Sequence, residues 1–309
     1  MAQKSILFVC TGNIFRSLAA EQGFKKYLLD NGIPGWHVGS AGIHAVPQAV
    51  DPKTLETLCE VGITDIEHEQ RKLTREMLEQ YDVIVGMAQD HIDFMKSQFN
   101  YKYGILFNEL AQHEATSVRD IDEVPEYQTN PQAVEEKIER TVKNIVEKIP
   151  AVFKNVTERF YLFKNFAEGK TTHRNGYPFI TLHETPHSIA FMSIDIPFNE
   201  DGHVLVFPKE RYPSLSDIPD ETLKDILASI KKVGEAFSID HGGYNVLLNN
   251  GLDAGQYIIH THFHIIPRRS GDGITIEGWE RPKISRDDFI RFNEDLKRQI
   301  EQLPSSVIE

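Results

Sequence analysis

The chain has 309 residues, 40% of them apolar, with 33 Lys and Arg against 46 Asp and Glu for a formal net charge of −13. That length is about twice a usual compact domain, so two domains are expected. The acidic balance falls almost evenly on the two halves, so neither has the clustered basic surface that holds a phosphate backbone, and duplex nucleic acid is excluded as the main partner.

In chain order, Ile6 to Val9 reads as a buried strand, Leu18 to Leu29 as a helix, His37 to Gly39 as a strand, Leu55 to Glu60 as a helix and Val83 to Met87 as a strand, with a further helix over Ala133 to Ile149. Alternating short apolar runs and helical patterns predict an α/β fold, a doubly wound parallel four-stranded sheet. The second half differs. Apolar runs at Phe179 to Leu182, Ile189 to Ile194, Val204 to Phe207, Tyr244 to Leu248 and Tyr257 to Ile266 are mostly separated by turn signals, which predicts an α+β domain with a largely antiparallel sheet. Two helices are expected there, one from Asp220 and one over Ser285 to Leu303. The expected domains are 1–153 and 158–309, divided in the stretch after Pro150.

The run Ile6 to Val9 meets polar residues at once, far short of the about 20 apolar residues of a membrane span, and no signal-peptide pattern is present. Cys10 and Cys59 are the two cysteines, too few for a disulfide framework, which suits a reducing compartment. A cytoplasmic protein is the expectation.

Leu7-Phe8-Val9-Cys10-Thr11-Gly12-Asn13-Ile14-Phe15-Arg16-Ser17 puts a cysteine at a strand end and an arginine six residues later, where a helix begins. This is an anion cradle: loop N–H groups and the helix dipole face a phosphate while Arg16 grips two of its oxygens. The same field favours a Cys10 thiolate as nucleophile. A buried strand-end cysteine of no chemical role is the plain alternative.

The loop resembles that of low-molecular-weight protein tyrosine phosphatases, with their Cys-x-Gly-Asn-Ile-x-Arg-Ser core. Gly39-Ser40-Ala41-Gly42 looks like the family's Ser-Ala-Gly segment, and His68, Arg71, Leu73, Thr74 and Tyr81 to Met87 look like its next helix and strand; the likeness covers about 150 residues. It implies Cys10 and Arg16 as catalytic, Thr11, Gly12, Asn13, Ile14, Phe15, Ser17 and Ser40 around the phosphate, and a phosphoprotein among the partners. The family's general-acid Asp falls on Val124-Pro125-Glu126-Tyr127, so the likeness assigns that role to Glu126, with Asp122 as alternative. Two departures stand out: the aromatic wall of the cleft falls near Val46, and the second loop cysteine is Phe15. Arsenate reductases of the same fold are the competitor: an internal thiol relay needs cysteines that residues 87–98 lack, and a version that relies on an external thiol stays open.

His260-Thr261-His262-Phe263-His264 alternates, so on one strand the three histidines project from one face. Zinc binding is an alternative, although rings spread over about 13 Å suit a row better than three ligands on one ion. With Asn249-Asn250-Gly251, Ala254-Gly255-Gln256 and Gly202-His203 through Pro208-Lys209, the row resembles the histidine-triad family over residues 160–305. The resemblance implies His262 as nucleophile on a nucleotide α-phosphorus, with His203, Asn249, Gln256, His260 and His264 around the phosphate and Asp195 on the ribose. It also implies a nucleotide or nucleotidylated small molecule as partner and a homodimer through this domain. Phe160 to Phe166 lacks the paired cysteines of zinc-bearing members, so no metal or cofactor is expected. Gln256 and Pro267-Arg268-Arg269 look more like the dinucleoside-polyphosphate hydrolases than the phosphoramidases. The whole chain reads as a bifunctional hydrolase, or as an active histidine-triad enzyme joined to a phospho-ligand binding module.

Overall fold

β1 (Lys4–Cys10) is buried at every residue after Lys4, as a central parallel strand covered on both faces must be. The computed structural model describes residues 4–121, 130–193, 202–276 and 285–302. After β1 come α1 (Arg16–Asp30), β2 (Trp36–Gly42), α2 (Pro52–Glu60), α3 (Arg75–Gln80), β3 (Val83–Gly86), α4 (Gln89–Phe99), β4 (Ile105–Leu106), α5 (Phe107–Gln112) and the long α6 (Pro131–Ala167). The four strands are parallel in the order β2-β1-β3-β4. This is the expected doubly wound sheet.

On one face Phe8 packs against Phe24 and Phe107, with ring centroids 5.8 and 6.4 Å away, and α6 closes that layer with Ile138, Val142 and Ile145. Leu7, Val9, Ile84 and Met95 fill the other face. Each fully buried side chain of this size contributes about 1.5–3 kcal/mol. The register pairs Cys10 with Gly42, Phe8 with Ser40 and Val9 with Gly86, so the end of β1 is held between two neighbours. Gly42 is obligatory at this rim: a Cβ there would lie 2.7 Å from the Thr11 carbonyl oxygen.

The boundary expected after Pro150 falls inside α6, which carries Pro150 in its interior. The chain forms two units, one of residues up to Asn165 together with Gly251–His260, the other of Phe166–Asn250 together with residues from Thr261 on. Anchoring explains where the helix changes allegiance. Asn155 donates to the Leu110 carbonyl at 2.7 Å and the Tyr161 hydroxyl to Asp82 at 2.9 Å, both within the first unit. Phe166 instead packs against Phe179 in a tilted pair and against Phe191 edge-on, with centroids at 4.9 and 5.4 Å.

In the second unit a short hairpin, β5 (His173–Arg174) and β6 (Tyr177–Pro178), follows α6. β7 (Thr181–Glu184), β8 (Ser188–Met192), β9 (Val204–Pro208), α7 (Asp220–Phe237), β10 (Gly243–Leu248), β11 (Phe263–Arg268) and α8 (Arg286–Gln302) follow. The sheet is antiparallel in the order β10-β11-β9-β8-β7, the histidine-triad-type arrangement expected. Its core joins Ile226, Ile230 and Val233 of α7 to Val204, Val206, Phe263 and Ile265.

One expectation is corrected here. β11 starts at Phe263, so of the three alternating histidines His264 alone stands on the strand. Thr261 turns its backbone N–H and hydroxyl onto the Tyr212 carbonyl, at 2.7 and 2.9 Å. Pairing with this loop, not with a neighbouring strand, ends the ladder before His262.

Candidate functional site

In the first unit residues 11–15 form the turn between β1 and α1. Asn13 has a left-handed backbone, φ 57°, and is fully buried. Asn tolerates that conformation better than most residues, and here its side chain is held on three sides. Its amide donates to Ser40 Oγ at 2.7 Å and Ser17 Oγ at 3.1 Å, while its carbonyl accepts from the Arg71 backbone at 2.9 Å. The Asn13 main-chain oxygen bonds His68 Nε2 at 2.6 Å, and Ser40 donates to the Glu21 carboxylate.

This bracing aims donors at the sulfur. Asn13 N–H points to Cys10 Sγ at 3.3 Å, and Ser17 Oγ lies 2.9 Å from it. A negative charge on Cys10 therefore has two partners in place. α1 begins at Arg16 without any side-chain cap, so its first N–H groups are left to an anion. Phe15, expected at the phosphate, turns its ring into the core and leaves its backbone alone for that role. Gly12 and Ile14 lie on the same turn, and Val46 is exposed where the likeness places an aromatic wall.

Arg16 is buried and fully engaged. Nη1 donates to the Val118 carbonyl at 2.9 Å, and Nη2 donates to Thr11 Oγ1 at 3.0 Å and forms an ion pair with Asp120. Thr11 Oγ1 also meets His91 Nε2 at 3.1 Å. His91 Nδ1 accepts the Ala88 N–H at 2.9 Å, which puts the ring proton on Nε2, aimed at Thr11. His91 is neutral for a physical reason: burial first, then the Arg16 guanidinium, pushes it from 6.5 down to about 3. Sequence reasoning missed His91, Asp120 and Glu21. His91 and Asp120 follow strands of a sheet whose ligand site lies at strand ends, which is the signal that would have found them. Glu126, the expected general acid, and Asp122 lie outside the described residues.

In the second unit His203 immediately precedes β9, and His264 lies opposite Leu205 on β11. That register brings His264 Nδ1 to 3.2 Å from His203 Nε2, with the rings stacked at 5.2 Å, and His262 sits 5.0 Å from His264 between centroids. His264 is pushed from 6.5 to about 3, by burial first and then by His262 and His203. Its Nε2 is buried and meets no partner among the described residues.

The other predicted groups divide. Asn249 is half-buried just past β10 and makes no hydrogen bond among the described residues. Asn250 instead holds the Leu215 N–H at 2.8 Å. Gln256 and His260 belong to the first unit, where Gln256 accepts the Gly251 N–H at 2.7 Å and His260 packs edge-on to Phe163 at 5.7 Å. The segment is tied to α6 by Ile259 N–H on the Arg159 carbonyl at 2.6 Å. Asp195 lies outside the described residues. Among those residues no group of three or more His, Cys, Asp or Glu converges to hold a metal ion. No helix there is long and apolar enough to cross a membrane.

Arg268, which had suggested the dinucleoside-polyphosphate branch, is engaged elsewhere. It grips Asp272 at 2.7 and 3.0 Å and the Ile274 carbonyl at 2.7 Å, closing the loop after β11 and holding the Asp272 carboxyl well below the usual range.

Comparison with known proteins finds a family for each part of the chain. Residues 5–160 match the low molecular weight phosphotyrosine protein phosphatase family, and residues 177–271 match the HIT domain. The adenosine 5'-monophosphoramidase of Saccharomyces cerevisiae is 38% identical over 124 residues, which is 40% of this chain and 76% of that protein. The adenosine 5'-monophosphoramidase of Schizosaccharomyces pombe is 38% identical over 123 residues, 40% of this chain and 90% of that protein. A solved YwlE mutant from Bacillus subtilis is 26% identical, covers 50% of this chain and 99% of its own, and superposes with a TM-score of 0.44. With just over half of its length matched, the chain belongs to the low molecular weight phosphotyrosine protein phosphatase family and carries a HIT domain behind it, so both of its domains belong to hydrolase families.

Proposed function

We propose that the chain is a bifunctional hydrolase, with a cysteine-dependent phosphatase in the first unit and a nucleotidyl-histidine hydrolase in the second. The observation that carries the first activity is the pair of donors on Cys10 Sγ, from Asn13 N–H and Ser17, beside a buried Arg16. The thiolate attacks phosphorus, the P–O ester bond breaks, and the leaving oxygen takes a proton from a carboxylic acid, the role assigned to Glu126. Water then attacks the cysteinyl phosphate, releasing orthophosphate and restoring the thiolate. A phosphoprotein is the proposed substrate class. The Asp120 carboxylate on Arg16 occupies part of the guanidinium fork that an incoming phosphate needs, so substrate must share or displace it. That contact favours slow turnover, the sense in which the binding-module alternative survives.

For the second unit the support is the His203–His264 contact. When His203 Nε2 donates to His264 Nδ1, the His264 Nε2–H is left for a phosphoryl oxygen. His262 attacks the α-phosphorus, the bond to the leaving group breaks, and water resolves the nucleotidyl-histidine. Asn249, Gln256 and His260 are assigned to the phosphates and Asp195 to the ribose. With Arg268 closing a loop and the relatives named as monophosphoramidases, a nucleoside phosphoramidate replaces the dinucleoside polyphosphate as the favoured substrate. β10 is a sheet edge with Tyr244 and Val246 exposed, which supports a homodimer through this domain. The chain is proposed to act in the cytoplasm.

The experiment offers adenosine phosphoramidate and a generic aryl phosphate to the full chain. His262→Ala is expected to abolish release of the nucleoside monophosphate and keep aryl-phosphate hydrolysis; Cys10→Ser is expected to do the reverse. Loss of both activities in either variant refutes two independent sites.

A further inference from the structure

Beside Val118, whose carbonyl accepts from Arg16, the first unit has a cleft of about 350 Å³ between α6 and the segment after α5. Arg119, Lys137 and Arg140 line it together with Asn108, Thr141 and Asn144, and no carboxylate among the described residues does. In a chain of net charge −13, three cations in a concavity whose described lining holds no carboxylate concentrate positive potential where a small anion fits, while Arg140 and Asn144 also border a second concavity lined by Glu136, Glu139 and Glu147. Arg119 and Arg140 make no ion pair among the described residues, whereas nearby Glu139 is engaged by Lys143 at 2.5 Å and by Lys53 at 3.4 Å. Asn108 is positioned by its own bonds: it donates to Thr116 at 3.2 Å and accepts from Lys148 at 3.3 Å.

We infer that this cleft is a second anion site, built for a phosphoryl group beyond the one at Cys10. Three cationic side chains and amide donors suit the three oxygens and double charge of a phosphate better than a single carboxylate. The site is wired to the catalytic loop: the Val118 carbonyl and the Asp120 carboxylate both bind Arg16, and Arg119 lies between them. An anion drawn to Arg119 restrains the segment that positions Arg16. The phosphoryl group is either free or a second phosphate on the substrate, and the chemistry of recognition is the same.

The test does not rest on either catalytic assignment. Backbone amide resonances of the full chain are followed while inorganic pyrophosphate is added. Ser117, Arg119, Thr141 and Asn144 are expected to shift in a saturable way. In the double variant Arg119→Ala, Arg140→Ala the apparent Kd from those shifts rises at least about tenfold, while the Arg119→Lys, Arg140→Lys variant restores most of the affinity. Both residues are exposed, and an unchanged Tm confirms that the variants fold. Cleft resonances that stay put in the wild type, or shift with the same Kd in the alanine variant, overturn the inference. A second arm separates the sources: a rise in KM for a bisphosphorylated peptide but not for its monophosphorylated form marks a substrate-borne phosphate. Equal KM changes with pyrophosphate-dependent turnover mark a free one.

Discussion

The cysteine loop and the histidine cluster are both phosphate sites in the reading above, yet they are built in opposite ways. Cys10 to Ser17 is one unbroken run whose donors are its own backbone and near neighbours, so a strand end and a helix start are enough to form it. The histidine site draws on residues from 203 to 264, and its order depends on where β9 and β11 begin and how they pair. A contiguous loop carries its geometry locally; a dispersed site takes it from the sheet.

That contrast predicts a graded set of outcomes. The largest is chemical: Cys10→Ser and His262→Ala each lower their own activity about a million-fold, the scale for loss of a nucleophile, read as kcat for aryl phosphate and phosphoramidate. Packing comes next. Ile226→Ala, which empties a fully buried position under the second sheet, is expected to cost about 2–5 kcal/mol by denaturant unfolding and to leave phosphatase kcat unchanged. A matched fall in both activities would break the independence of the two sites.

Acid sensitivity should then mark both sites together. His91 and His264 are held near 3 in the folded chain against 6.5 unfolded, so the unfolded state binds protons that the folded state refuses. Their stabilising contribution is complete above pH 6.5 and is lost as pH falls from there toward about 3. His91→Gln and His264→Gln should each flatten that decline in unfolding measured at stepped pH; an unchanged slope would place the rings in water. The smallest effect sharpens the first site: Asp120→Asn keeps an acceptor beside Arg16 but removes the competing charge. Inhibition by orthophosphate should tighten about threefold to fivefold, whereas weaker inhibition would make Asp120 a support for the arginine and not its rival.

Much of the first site was legible because its residues are neighbours in the chain: Cys10, Asn13, Arg16 and Ser17 stand where the spacing placed them. Ser40 was reached through the family likeness, and the parallel register explains its place. His91 and Asp120 were legible only as residues that follow strand ends, since each is an ordinary loop or helix-start residue until those ends meet. The row of histidines misled for a related reason: alternation is the mark of a strand, and nothing local reveals that Thr261 bonds the Tyr212 carbonyl and delays β11 until Phe263.

From its residues alone this chain settled the two fold types and the turn that joins β1 to α1 around Cys10, because apolar periodicity and short-range spacing act within a few residues. Tertiary structure alone decided where α6 passes from one unit to the other, which groups surround Arg16, and why Gly234 stands mid-helix in α7, where a Cβ would meet the Tyr244 ring at 2.2 Å. Those outcomes depend on surfaces far apart in sequence being brought together, and no local pattern encodes the partner that a side chain will meet.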